Sequence, residues 1–278
     1  MTFEERYSTA ARPLASWALA QLDLSEVTAA ADVGCGQGRF TLPLARELIG
    51  RSTLPDVRVE VSAVDRDESA LAVLGAAASS EGLPIRAIRA EALDRLIFPA
   101  FSLDLVMLNF VLHLIPRGEV QQCLDNVRAW LRPEGSLLIA GYGSRHMSKS
   151  FAWLRDGLTL LGRSAEEAQN LADRRMRGFS SRSFVLEDGI RSLGPAFDVV
   201  TYRRFEDTLL VGVDELEQLT LPILIGSPAL TREIGVTQQQ LGDAIVSVMK
   251  AAAVDGQLRV DTDLGILVAS HPGRPGRL

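Results

Sequence analysis

Up to residue 143, short apolar runs alternate with amphipathic ones, and this alternation constrains the fold more than any other feature. A weak, alanine-rich strand ends at Val33, "RFTLPLARELIG" has helical spacing stopped by Gly50, and "VRVEVSAVD" alternates as a strand as far as Asp65. "DESALAVLGAAASSEG" predicts a helix with a carboxylate-rich start and Gly82 as its C-terminal stop. "IRAIRA" and "LDLVMLNFV" read as strands, "GEVQQCLDNVRAWLRPEG" as an amphipathic helix and "SLLIAGYG" as a further strand. Alternating strands and helices predict an α/β fold with a mostly parallel sheet and helices on both faces. Continuous apolar strands fit burial on both sides, because a one-sided strand would alternate.

Upstream, "TAARPLASWALAQLDL" has helical spacing, with Thr9 as the expected N-cap. The rhythm is lost over 144–183, which is mostly helical and polar. "FDVVTYRRF" and "LGILVASHP" predict two more strands near 196–205 and 264–270, completing a seven-stranded sheet, with a helical stretch over 206–257 between them. The tail "GRPGRL" is expected to fray.

Composition removes several classes of function. A chain of 278 residues with 47% hydrophobic content suits one large domain, or a core plus an appendage. The longest apolar run, "FSLDLVMLNFVLHLI", is broken by Asp104, Asn109 and His113, and "MTFEERYSTAARP" lacks an apolar signal core. The expectation is a soluble cytoplasmic protein with no membrane partner. Twenty-nine basic and 35 acidic residues leave a net charge of −6, which provides no global footprint for nucleic acid. Two cysteines, Cys35 and Cys123, and three histidines show no metal-ligand spacing, so neither a metal nor a disulfide is expected.

The loop "DVGCGQGRF" follows the first strand, where a dinucleotide fingerprint would read G-x-G-x-x-G. Here Gly34, Gly36 and Gly38 are followed by Arg39, which occupies the position of that fingerprint's third glycine. Asp32, in front of the loop, would repel phosphate and suit a cation. Asp65 at the end of the second strand can accept from both hydroxyls of a ribose, and Glu91-Ala92 after the third strand offers an acceptor for an exocyclic amine. Acids at three successive strand ends describe a pocket for an adenosine carrying a cationic tail.

On these residues the chain resembles the class I S-adenosylmethionine-dependent methyltransferases, which have a Rossmann-like fold. "DVGCGQG" matches their E/D-x-G-x-G-x-G motif, and "VSAVDRDESAL" is similar to their second motif, with Asp65 as the ribose acid. "AEALDRLIFPAFSLDLVMLNFVLHLI" resembles their third and fourth motifs, in which an acid-alanine pair faces the adenine, and "LRPEGSLLIA" the segment before their fifth strand. This chain has Glu91 where Asp is usual, which keeps the acceptor and changes its reach. The resemblance covers residues 5–143 and implies S-adenosylmethionine as cofactor, with S-adenosylhomocysteine as product. It implies donor contacts from the loop residues Asp32, Gly34, Cys35, Gly36 and Gly38. It implies others from Asp65, Arg66, Glu91, Ala92 and Asn109, and from Tyr7 on an N-terminal segment, "ERYSTAARP", that closes over the cofactor. The implied organisation is a cofactor-binding core with N-terminal closing helices over 1–143, a helical lid over 144–183, and the last core strands with a helical insertion over 184–278.

Methyl transfer to a ready nucleophile needs no obligatory triad, so catalytic candidates come from position alone. His113 after the fourth strand, and Tyr142 and His146 after the fifth, stand at the sheet's carboxyl end, where ligands collect. Phe151 and Trp153 could wall a lipophilic substrate or simply pack a core. Arg174, Arg175, Arg177 and Arg182 could clamp an anion or RNA, or form a solvated helix face. The N/D-P-P-Y/F signature of nucleobase amino methylases is absent, "NFVL" standing in its place, and there is no Pro-Cys nucleophile. These absences point to a small organic acceptor methylated on oxygen or nitrogen, in a setting such as specialised metabolism. The alternatives are an RNA or tRNA methyltransferase, and a cofactor-binding fold with a repurposed role such as cyclisation, or with no catalysis. A homodimer is open.

Overall fold

The structure, a computed structural model, describes residues 6–51, 59–146, 148–180, 184–224 and 228–272. The "GRPGRL" tail and Arg182 lie outside the described residues. Nine strands are named in chain order: β1 Ala29–Val33, β2 Glu60–Asp65, β3 Ile85–Arg89, β4 Leu103–Met107, β5 Leu131–Tyr142, β6 Phe197–Phe205, β7 Thr208–Gly212, β8 Gln257–Asp261 and β9 Leu264–Pro272. The chain divides into two compact units. One comprises Arg12–Gly143, Ser183–Phe205 and Leu264–Leu278; the other comprises Met1–Ala11, Ser144–Arg182 and Glu206–Asp263.

The first unit holds a seven-stranded sheet in the order β3-β2-β1-β4-β5-β9-β6. The five strands from β3 to β5 are parallel, and β9 runs antiparallel between β5 and β6. In β1, Ala30, Ala31, Asp32 and Val33 are buried in succession, as a strand covered on both faces requires. The chain builds outward from β1 to β3, then returns to place β4 on the other side of β1, so the order reverses between β1 and β4. Crevices at the carboxyl ends of strands beside such a reversal are where open α/β sheets bind ligands. At the opposite end, Asp104 ties β4 to β1: its Oδ2 accepts from the Thr28 N–H, the Thr28 hydroxyl and the Ala29 N–H, each at 2.9 Å. The core beneath the sheet is built on Val106, Leu108, Leu124, Trp130, Leu137 and Ile139.

The second unit is helical, with Ser148–Leu160, Ala165–Ser180, Glu217–Leu224, Pro228–Ile234 and Gln238–Ala252, and a two-stranded antiparallel ribbon of β7 and β8. Leu154, Leu158, Leu171, Val211, Leu241 and Ile245 fill its core, and Phe151 and Trp153 pack there too. Gly157 allows the helices of 148–160 and 238–252 to approach closely, since a Cβ there would stand 3.0 Å from Ile245 Cγ1. Helix 238–252 starts on a capping box: Thr237 Oγ1 accepts from the Gln240 N–H at 3.1 Å, and Gln240 Oε1 accepts from the Thr237 N–H at 2.8 Å.

Three local readings change. Thr9 caps no helix: the helix begins at Leu14 behind Pro13, and the Thr9 N–H donates to Thr208 O and Asp207 Oδ1. Pro13 accounts for this, because a ring without N–H is best placed at a helix start. "LRPEG" belongs to β5 rather than to the helix before it. The stretch 206–257, read as helical, opens with β7. Among the described residues, no helix is long and apolar enough to cross a membrane. Among them, no group of three or more His, Cys, Asp or Glu side chains could hold a metal ion.

Candidate active site

The glycine loop leaves β1 at Val33 and turns sharply into the helix Thr41–Arg51. Gly34, Gly36 and Gly38 all have left-handed φ, at 76°, 51° and 89°, where a side chain is strained. They differ in what surrounds them. A Cβ on Gly34 would meet Val111 Cγ2 at 2.2 Å, and one on Gly38 would meet Leu74 Cδ1 at 2.3 Å. A Cβ on Gly36 would meet nothing within 4 Å. Two glycines therefore permit close packing, while the middle one leaves open space above bare backbone.

Asp65, at the end of β2, braces this loop. Its Oδ2 accepts from the Gly36 N–H at 2.7 Å and its Oδ1 from the Asp67 N–H at 2.9 Å. Asp67 in turn caps the helix Glu68–Ser80 through the N–H groups of Ser69 and Ala70. Beside the loop opens a cavity of about 300 Å³ lined by Gly34, Asp65, Arg66, Glu91 and Ala92. Phe110, Val111, Leu114 and Ile115 add an apolar lining, and Glu119 a further carboxylate. Arg66 and Glu91 are both exposed, and Arg66 Nη1 stands 4.0 Å from Glu91 Oε2.

Asp32 is buried, 1% exposed, and does not line this cavity. Its Oδ2 accepts from the Thr41 hydroxyl at 2.7 Å and its Oδ1 from Asn109 Nδ2 at 3.3 Å. Asn109, also buried, accepts the Ala140 N–H on Oδ1 at 3.2 Å, so one polar chain links the ends of β1, β4 and β5. Burial pushes the Asp32 carboxyl up to about 6, against the opposing hydrogen bonds from Thr41 and Asn109. Cys35 is buried, its thiol donating to Gly36 O at 3.6 Å. Burial raises its pKa, so it stays a protonated packing residue.

Next to the cavity, rings from separate segments meet. Phe110 directly follows Asn109 and adopts φ 57°, in the left-handed region that costs a non-glycine residue about 1–2 kcal/mol. Its N–H is held by Ala140 O at 2.8 Å. The Phe110 ring lies 5.1 Å from Tyr142, edge to face, and 6.4 Å from Phe40; Tyr142 in turn lies 5.2 Å from His113, also edge to face. Arg39 Cζ sits 5.9 Å from the centre of the Phe110 ring. Phe110, Val111, His113, Tyr142, Phe184 and Leu186 also border a small cavity of about 10 Å³, room for about one water. Burial alone lowers the His113 pKa, keeping the imidazole neutral at ordinary pH.

The structure thus gathers Gly34, Asp65, Arg66, Glu91 and Ala92 around one cavity, and His113 and Tyr142 in one ring cluster. Tyr7 and His146 belong to the helical unit, where Tyr7 packs in the core under the Arg6 guanidinium. There Arg174 pairs with Glu233 at 2.8 Å, as a solvated helix face would. Sequence reasoning missed Phe110 and the wall of Val111, Leu114 and Ile115. The apolar residues of "NFVLHLI" signalled burial without direction, and nothing in a phenylalanine announces a left-handed backbone.

Residues 30–135 match a family model described as a methyltransferase domain. No curated protein sequence matches the chain. Among solved structures, the fold is similar to that of the YcgJ protein from Bacillus subtilis, with 14% identity, 93% of this chain and 99% of that chain covered, and a TM-score of 0.54. It is similar to a putative methyltransferase from Bacillus halodurans with the same identity, coverage and TM-score. It is also similar to the [4+2]-cyclase SpnF, with 17% identity, 93% and 80% of the two chains covered, and a TM-score of 0.51. The fold is that of the class I, Rossmann-like methyltransferases, and residues 30–135 are similar to a methyltransferase domain. The cofactor of that class is S-adenosylmethionine. The residues present fit it: open space above Gly36, carboxylates at the ends of β2 and β3, and an apolar lining.

Proposed function

We propose that this protein is an S-adenosylmethionine-dependent methyltransferase acting on a small organic acceptor. The observation that carries the reading is the convergence of Gly34, Asp65 and Glu91, from the ends of β1, β2 and β3, on one cavity also lined by Val111, Leu114 and Ile115. Asp65 would take the ribose hydroxyls, since each of its oxygens accepts one N–H and keeps a further lone pair. Glu91 and the Ala92 backbone would face the adenine edge, with the apolar wall against its ring. Gly36 would let the amino-acid tail approach the main chain. Asp32, Thr41 and Asn109 are positioning residues, holding the loop from below. The cofactor, when bound, supplies an electrophilic methyl on a sulfonium. The protein's task is then alignment at near-attack distance, an effect reaching about 7–11 kcal/mol in the best intramolecular models.

Calorimetry with S-adenosylhomocysteine and with NAD tests the donor assignment. Saturable binding of the homocysteine compound alone is expected, and binding of NAD alone would overturn it. Transfer of a labelled methyl group to acceptors tests the activity. Donor binding with no transfer to any acceptor would move the protein to the repurposed reading that the likeness to a cyclase supports.

A further inference from the structure

The ring cluster restricts the acceptor. Phe110 and Tyr142, at the carboxyl ends of β4 and β5, and His113, packed edge to face on Tyr142, are each part-exposed. Three rings left partly open beside the donor cavity form a surface on which a planar aromatic ring can pack. Arg39, over the Phe110 ring, places a guanidinium at this edge. Phe110 lines the donor cavity as well, so a ligand on this ring lies next to that cavity. The small cavity behind the rings is too small for an organic ligand, which leaves their open side as the place for one.

We propose that the acceptor is an aromatic hydroxyl compound, bound against Phe110 and Tyr142 with its hydroxyl donating to the His113 imidazole. The inference rests on the donor reading above. In the step, the acceptor oxygen forms the new O–CH₃ bond as the S–CH₃ bond of the donor breaks. The bonding pair stays on sulfur, which becomes a neutral thioether, and the hydroxyl proton goes to His113 and then to solvent. A base is needed here because a phenol is a weak nucleophile until it loses its proton. His113 suits that role: it packs edge to face on Tyr142, and burial is what lowers its pKa, with no charged side chain among the described residues adding to the shift.

The test uses the full chain saturated with S-adenosylhomocysteine, titrated with catechol and naphthol against cyclohexanol and hexylamine, and then labelled methyl transfer with the same compounds. Catechol and naphthol should bind and be methylated on oxygen, with cyclohexanol and hexylamine inert. Tyr142→Leu, at a residue that does not itself line the donor cavity, should weaken aromatic binding about fivefold and change homocysteine-compound affinity far less. His113→Gln should lower kcat about 100-fold with KM nearly unchanged. The wild-type rate should rise with pH below the usual histidine range and then level, and the variant should lose that limb. Methylation of hexylamine or cyclohexanol instead, or aromatic transfer indifferent to both variants, would overturn the proposal while leaving the donor reading intact. Failure of S-adenosylhomocysteine itself to bind would overturn both through the donor site.

Discussion

On the β1–β3 side of the strand reversal the site is made of main chain and carboxylates, whereas on the β4–β5 side it is made of rings. The first side works by leaving atoms out: glycines at left-handed φ, one of them facing empty space, and Asp65 holding the Gly36 N–H. The second side works by filling: Phe40, Phe110, Tyr142 and His113 lean on one another, with Phe110 held in a backbone conformation that its side chain disfavours. A constant ligand part can be met by fixed backbone geometry, whereas a variable part is selected by side chains that can be exchanged. The polar chain Thr41–Asp32–Asn109–Ala140 fastens the two sides together.

Substitutions that break one side and spare the other sharpen this contrast. The largest effect is expected from Gly34→Ala, which forces a Cβ to 2.2 Å from Val111 in strained backbone. Overpacking and strain together predict a loss of about 4 kcal/mol in urea unfolding. A loss below about 1 kcal/mol would mean that the two sides are not packed against each other.

The fastening chain comes next. The folded pKa of Asp32, about 6, lies above its ordinary 3.8, so the native state holds this proton more tightly than the unfolded chain does. Its contribution is full below the ordinary value and is lost as pH rises through about 6. The amplitude is about 3 kcal/mol, at about 1.4 kcal/mol per unit. Asp32→Asn should flatten that limb in urea melts across this range, and an unchanged pH profile would place the titration elsewhere.

Asp65→Ala should weaken S-adenosylhomocysteine binding by about 2 kcal/mol in calorimetry, the cost of lost hydrogen bonds to a charged acceptor. Unchanged affinity would remove the carboxylate from the donor side. The smallest effect on stability belongs to Gly36→Ala. It meets no atom and should cost about 1–2 kcal/mol of backbone strain, together with a marked loss of donor affinity. Destabilisation as large as that of Gly34→Ala would erase the distinction between packing and ligand-facing glycines.

The two sides also differ in how far the sequence displays them. The alternation of strands and helices, the glycine loop and the acids after β2 and β3 are consecutive features, and their spacing carries their meaning. Arg39 in place of a third glycine and Asp32 in front of the loop indicated a phosphate-free ligand. The direction of Asp32 was not legible, because every residue from Ala30 to Val33 is buried and no alternation reveals which face it takes. The ring cluster was less legible still. Its members lie at positions 40, 110, 113 and 142, and only the sheet register brings them together. Phe110 depends on a torsion that its residue type gives no reason to expect.

The placement of β9 has a consequence for synthesis. The donor side needs only β1 to β4, all of which lie before Leu108 in the chain. Tyr142 sits opposite Leu264, and Phe205 opposite the same residue from the other side. A nascent chain leaving the ribosome can therefore assemble the glycine loop early. β5 and β6 stay without their shared neighbour until residues 264–272 have emerged. The half-built sheet then exposes two open edges, which makes that interval the one in which the chain is most prone to pair with another copy.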